Sequence, residues 1–153
     1  MIRRLLAALA VAVALPVPQA VADPVAPQPG SPCDAAAVGA LTPADTGTLE
    51  CTAQGWRSAD TPYPFGDRWV SLGPPVKLHG NGLRNAELSP GDWTGTPLTP
   101  ADRCTVQQVA VLRGVGAGPA ETLEGAPGQP LSFTTPELLF SAEFSGACLW
   151  QRR

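Results

Sequence analysis

The C-terminal half of the chain alternates short apolar runs with turns rich in Gly and Pro. Between 138 and 144 the period is two, which places Phe140 and Phe144 on one face of a strand and predicts that this face lies in the core. Several strands at roughly ten-residue spacing predict an antiparallel β-sandwich over 76–151. The predicted strands are Val76–His79, Leu83–Leu88, Asp92–Gly95, Thr105–Arg113, Glu121–Leu123, Pro130–Phe133, Leu138–Phe144 and Cys148–Gln151. The predicted loops are Gly114–Pro119 and Gly125–Gln129.

Residues 33–75 give a weaker pattern. Asp34 can cap a short helix that runs from Ala35 to Leu41. Thr42-Pro43-Ala44-Asp45 predicts a turn or a new helical start, and the same four residues recur at 99–102. Two similar turns explain this recurrence better than an internal repeat. We therefore expect one mainly β domain over 33–153, in which an N-terminal part (33–75) packs on the sandwich (76–151). This part begins with a short helical or irregular Cys-bounded segment (33–51).

The first 22 residues have the three parts of a signal peptide. Arg3 and Arg4 precede an apolar run from Leu5 to Leu15, and Ala20-Val21-Ala22 forms a cleavage site. The run is shorter than the roughly 20 residues that span a bilayer. No transmembrane segment is expected in the mature chain. Residues 23–32 hold four prolines and predict an extended linker. The predicted location is secreted or cell-wall associated, and retention of the signal as an anchor is the alternative.

The net charge of the chain reduces the classes of partner that we expect it to bind. Without Arg3 and Arg4, 8 basic and 13 acidic residues remain, a net charge of −5. Nucleic acid is therefore not an expected partner, because phosphate binding is driven by basic patches. No Walker loop or dinucleotide fingerprint is present, and no cofactor is expected.

Four cysteines in an exported domain predict two disulfides, for which three pairings are possible. Cys33–Cys51 and Cys104–Cys148 is the preferred pairing because each pair then lies within its own segment. A metal site is not predicted, since the chain has no C-x-x-C and its one histidine, His79, is distant in sequence from every cysteine.

Four aromatic residues are concentrated between 52 and 70, interleaved with Pro62 and Pro64. Such stretches either form a binding platform for a peptide or a sugar, or pack a loop onto the core. We predict a binding face here and assign two other tryptophans, Trp93 and Trp150, to the core. The predicted binding face consists of Trp56, Tyr63, Phe65 and Trp69.

Catalytic motifs are absent from the sequence. No serine lies in a G-x-S-x-G motif, and His79 is expected at the end of a strand. Paired carboxylates remain open as an alternative, and Asp60, Asp67 and Asp92 are the first candidates because they lie near aromatic residues.

Residues 76–151 resemble a small β-sandwich module of secreted and lipid-anchored actinobacterial proteins. The resemblance rests on a Gly-centred stretch (82–88), on Pro90-Gly91-Asp92-Trp93, on Cys104, and on a final region with Phe144, Cys148 and Trp150. It implies a disulfide-tied sandwich and transfers no enzymatic activity to any residue of this chain.

Together these observations predict a secreted, non-catalytic module that binds a protein or a cell-wall component. The alternative is a small extracellular hydrolase or carbohydrate-binding module that acts on glycans.

Overall fold

A computed structural model of the protein describes residues 26–153. The predicted signal peptide and the first residues of the predicted linker lie outside the described residues. The fold is mainly β, with two sheets and a single short 3₁₀ turn in the described part of the chain, as the sequence predicts. The turn spans Ala35–Ala37, and the strands are β1 Leu41–Ala44, β2 Gly47–Thr52, β3 Gly55–Ser58, β4 Arg68–Ser71, β5 Val76–His79, β6 Gly91–Pro97, β7 Thr105–Leu112, β8 Gly116–Glu124, β9 Leu131–Thr135, β10 Leu139–Ser145 and β11 Cys148–Arg152.

The larger sheet has seven strands in the order β3-β2-β1-β4-β11-β6-β9. Its pairs are antiparallel except β1 and β4, which run parallel with Leu41 opposite Trp69. Trp150 of β11 lies between Trp69 of β4 and Gly95 of β6. A Cβ at Gly95 would come within 2.5 Å of the Trp150 ring, so only glycine allows the ring to lie across β6.

The smaller sheet has four strands in the order β5-β10-β7-β8, and every pair is antiparallel. The pairing of β10 with β7 shifts register between Leu139 and Ser141. The predicted alternation over 138–144 is therefore wrong before Ala142, because a shift in register changes which residues face the core. Leu139, Ala142 and Phe144 are buried, whereas Phe140 is only half-buried.

A sandwich core fills the space between the two sheets. The larger sheet contributes Trp69, Trp93 and Trp150, and the smaller one contributes Leu78 and Phe144 among others. The Phe144 and Trp150 rings stack with their centroids 4.4 Å apart. The disulfide between Cys104, which immediately precedes β7, and Cys148 of β11 joins the two sheets across this core.

An outer cluster lies on the opposite face of the larger sheet. Val70 follows the inward-facing Trp69 along β4, so its side chain points outward, where it joins Leu49, Cys51 and Trp56. Residues 26–40, which we call the N-terminal segment, contain the 3₁₀ turn and cover these side chains, and a second disulfide, Cys33–Cys51, ties the segment to β2. The preferred disulfide pairing is confirmed at both bridges.

Several predicted elements differ from the structure. Leu83–Leu88 is irregular rather than a strand, and β8 already begins at Gly116, inside a predicted loop. Asp34 does cap the N-terminal turn through a 2.7 Å hydrogen bond from Ala36 N, but the turn spans only three residues. Instead of packing on the sandwich as an irregular segment, 33–75 supplies four strands of the larger sheet.

The two copies of Thr-Pro-Ala-Asp adopt different structures. At 99–102 the tetrapeptide is a turn, in which Thr99 N donates to Asp102 Oδ2 at 2.8 Å. At 42–45 its first three residues belong to β1, paired with Leu49, Thr48 and Gly47. The predicted turn is therefore correct only for the second copy, because strand pairing overrides the local preference at the first.

Candidate functional site

The connection from β3 to β4 carries the two most exposed aromatic side chains of the described chain. These strands are separated in the sheet by β2 and β1, so the nine residues 59–67 must cross both. We call 59–67 the aromatic loop. Its Tyr63 is 52% exposed and its Phe65 is 60% exposed, while Pro64 between them is buried.

Backbone hydrogen bonds fix the aromatic loop at both ends. Ala59 N donates to Thr48 O at 2.8 Å, and Gly66 N donates to Glu87 O at 2.9 Å. The indole nitrogen of Trp69 donates to Gly66 O at 3.0 Å. A Cβ at Gly66 would lie 2.7 Å from Leu41 Cδ1, so glycine allows the loop to pack directly on the core. Tyr63 and Phe65 are thus presented by an anchored loop.

The predicted binding face is wrong for its two tryptophans. Trp69 is fully buried in the sandwich core, and Trp56 is 4% exposed in the outer cluster. Trp69 occupies the inward register of β4 opposite Leu41, and the N-terminal segment covers Trp56. Tyr63 and Phe65 are the members of the predicted face that reach the surface, and their role in binding stays a prediction.

A groove of about 410 Å³ lies between the aromatic loop and the adjacent end of the larger sheet. Phe65 lines it together with charged side chains from the loop, from β2 and β4, and from the C-terminal strand. The charged lining residues are Glu50, Asp60, Asp67, Arg68 and Arg152.

Most of these charges are already paired within the protein. Glu50 Oε2 accepts from Arg57 at 2.8 Å, and this hydrogen bond, reinforced by the charge of Glu50, raises the pKa of Arg57 above its usual value. Asp67 Oδ2 lies 3.5 Å from Arg152 Nη1. Asp60 differs from both, since it forms no hydrogen bond or ion pair within 4 Å with another residue of 26–153, although its charge adds to the rise in the pKa of Arg57.

The two arginines of the groove donate to neighbouring elements. Arg152 Nε donates to Pro90 O at 3.1 Å. Arg68 Nη1 donates to Gln151 Oε1 at 2.6 Å, and its Nη2 donates to Ala36 O. Both guanidinium groups therefore connect the groove to the scaffold around it.

The candidate carboxylates only partly converge. Asp60 and Asp67 line the same groove, whereas Asp92 lies on β6 and accepts from Thr134 Oγ1 at 2.6 Å. A glycan hydrolase that acts through paired carboxylates would be favoured by a pair that faces an open cleft beside Trp56 or Trp69. Both tryptophans are buried, so neither lines such a cleft.

His79 lies at the end of β5, as expected. Its Nδ1 is 3.4 Å from Glu87 Oε2, which also accepts from His79 N at 2.9 Å. Among residues 26–153, no group of three or more His, Cys, Asp or Glu side chains is placed to hold a metal ion. Within the same range, no helix has the length and apolar character needed to cross a membrane.

A second groove, of about 220 Å³, is lined mainly by apolar residues around Pro43, Pro74 and Pro75. Asp45 is its single titratable residue, and no aromatic side chain lines it. The groove beside the aromatic loop offers more varied contacts and is the better candidate site.

Glu50, Arg68 and Arg152 are members of the site that no pattern in the sequence indicates. They are distant in the sequence and meet because β1 pairs parallel to β4 while β11 pairs with β4 from the other side. Local patterns carry no signal for such pairings.

Comparison of the chain with family models, with curated proteins and with solved structures finds no match. The resemblance to the actinobacterial module therefore stays a prediction.

Proposed function

We propose that this chain is an exported, non-catalytic module that binds a protein or a cell-wall component through the aromatic loop and the groove beside it. The observation that carries the proposal is the exposure of Tyr63 and Phe65 on an anchored loop. Aromatic side chains offer large contact areas at low entropic cost and dominate many binding interfaces. A fixed loop loses little conformational freedom on binding, which favours affinity.

Export is supported by the pattern of residues 1–22 and by the two disulfides, which persist in oxidising compartments.

Binding rather than catalysis is supported by the charges of the groove. Asp67 lies beside Arg152, and Glu50 accepts a hydrogen bond from Arg57. Both carboxylates are therefore engaged in contacts that compete with a role in proton transfer.

The proposal is tested by retention of partners on the immobilised full chain, produced under conditions that form both disulfides. Secreted and cell-wall proteins are applied in one arm and cell-wall glycans in the other. The Tyr63→Ala/Phe65→Ala variant should lower retention at least about ten-fold, since truncation of a central interface aromatic costs more than about 1–2 kcal/mol.

Val115→Ala is the matched control, because Val115 is 76% exposed in the turn between β7 and β8 and does not line the groove. Equal retention by the wild type and the double variant would refute the aromatic loop as the contact surface. Retention confined to the glycan arm, and lost in the double variant, would favour the carbohydrate-binding alternative.

A further inference from the structure

The lining of the groove beside the aromatic loop holds three carboxylates and two guanidinium groups, an excess of one negative charge. Asp60 accepts no hydrogen bond from a described side chain, although its charge acts on Arg57, and the contacts of Asp67 and Glu50 each use a single carboxylate oxygen. Asp67 is also 52% exposed along its side chain. The carboxylates therefore present unused acceptor oxygens to an incoming group.

Both arginines of the groove are already held by acceptors of the protein. Arg152 contacts Asp67 and Pro90, while Arg68 contacts Gln151 and Ala36. The remaining Nε of Arg68 is buried and has no hydrogen-bond partner in 26–153, so solvent does not reach it. A cationic group matches the excess of one carboxylate in the lining, and a neutral sugar gains nothing from it.

The aromatic rings add a second requirement. Phe65 lines the groove and is 60% exposed, so one face or edge of its ring is open to a ligand. An ammonium or guanidinium group near an aromatic face is attracted by the ring quadrupole. The methylene stem of lysine or arginine can also lie along a ring while its charged end reaches a carboxylate.

We infer that the groove binds a lysine or arginine side chain of a partner protein, with the charged end at Asp60 and Asp67 and the stem across Phe65. The net charge of −3 for the whole chain favours approach of a basic segment. This inference rests on the proposed function, because it assigns a ligand chemistry to the same surface.

The test is a titration of the ¹⁵N-labelled full chain followed by amide chemical shifts. The probe is a capped hexapeptide in which two lysines alternate with glycine and serine, and its matched control carries both lysines acetylated. The lysine peptide should shift the amides of Thr61, Gly66 and Arg152, which line the groove. The acetylated peptide should bind at least five-fold more weakly, and added salt should weaken the lysine peptide.

Asp60→Asn should weaken binding of the lysine peptide by up to about five-fold, the range of an exposed ion pair. Asp45→Asn, which removes an exposed carboxylate outside this groove, should leave the affinity unchanged. Equal binding of both peptides would overturn the inference, as would the absence of shifts at the groove. A neutral chitin trisaccharide that shifts these amides where the lysine peptide does not would also overturn it.

The retention experiment separates these failures from failure of the proposed function. If retention still depends on Tyr63 and Phe65 while the lysine peptide does not bind, the aromatic surface stands and the cationic ligand is wrong. If retention is independent of both aromatic residues, the proposed function itself fails.

Discussion

The sandwich core and the outer cluster each contain buried apolar side chains, at least one tryptophan and one disulfide, but they are closed in different ways. The sandwich core is closed by strands of both sheets. The outer cluster is covered by the N-terminal segment, which pairs with the sheet through a few backbone hydrogen bonds such as Trp56 N to Ser31 O at 2.9 Å. Local opening is easiest where few contacts must break together. The outer cluster should therefore open before the sandwich core.

The largest expected change in the free energy of unfolding comes from replacing one tryptophan in each region. Trp150→Ala removes a fully buried ring that stacks on Phe144 and should lower the free energy of unfolding by about 4–5 kcal/mol. Trp56→Ala should cost about 3 kcal/mol, the lower end of the range, because the covering segment can collapse onto the space. Urea unfolding measures both values.

Trp150→Phe serves as the second variant if Trp150→Ala does not fold, and it should remain more stable than Trp150→Ala. An outcome in which Trp56→Ala costs as much as Trp150→Ala would show that the outer cluster is part of the same cooperative unit as the sandwich core.

The second test removes each disulfide in turn. Cys104 and Cys148 are 44 residues apart, and loop-closure entropy predicts a loss of about 4 kcal/mol for the double alanine variant. Cys33 and Cys51 are 18 residues apart, which predicts about 3 kcal/mol. The sandwich should keep its near-ultraviolet circular dichroism when the Cys33–Cys51 bridge is removed, since its core residues do not depend on the N-terminal segment.

Amide hydrogen exchange gives the sharper measurement. Without the Cys33–Cys51 bridge, the amides of Cys51 and Trp56 should exchange faster, while those of β10 should keep most of their protection. Equal acceleration across both regions would contradict the separation of the two regions.

The sequence predicts the sandwich better than it predicts the N-terminal half, and the reason is physical. In 76–151 the strands are marked by apolar alternation and by turn residues, and six of the eight predicted strands match observed strands to within two residues at each end. In 33–75 the strands are short, and Pro43 within β1 argues against a strand. Their pairing depends on partners far along the chain, which local patterns do not encode.

The candidate site, too, could be predicted only where its residues are close together in the sequence. The sequence identifies Tyr63, Phe65, Asp60 and Asp67, because the aromatic loop is continuous in the chain. Burial of Trp56 was not predictable, since it depends on the outer cluster, and that cluster exists only because the N-terminal segment folds back on β2 and β3. A binding face proposed from aromatic density alone therefore mixes core residues with surface residues.

The smallest expected changes in the free energy of unfolding come from replacing one polar side chain in each region. Ser71 is fully buried, its Oγ donates to Gly146 O at 2.5 Å, and it accepts from the Trp150 indole nitrogen at 2.8 Å. Ser71→Ala leaves the buried Trp150 indole nitrogen and the partly buried Gly146 O without this partner and should cost about 2 kcal/mol. Asp34→Ala removes the exposed cap of the 3₁₀ turn and should cost about 0.5–1 kcal/mol, because water can satisfy Ala36 N.

Ser58→Ala is the control for Ser71→Ala, since Ser58 is exposed at the end of the edge strand β3 and its loss should change stability by less than about 0.5 kcal/mol. Urea unfolding followed by tryptophan fluorescence measures all three variants. If Ser71→Ala costs no more than Asp34→Ala, then the Trp150 indole finds another partner and the sandwich core is more adaptable than its close contacts indicate. If the predicted order holds, the sandwich core is the region in which a single lost hydrogen bond cannot be replaced by solvent, and the N-terminal segment is the region in which it can.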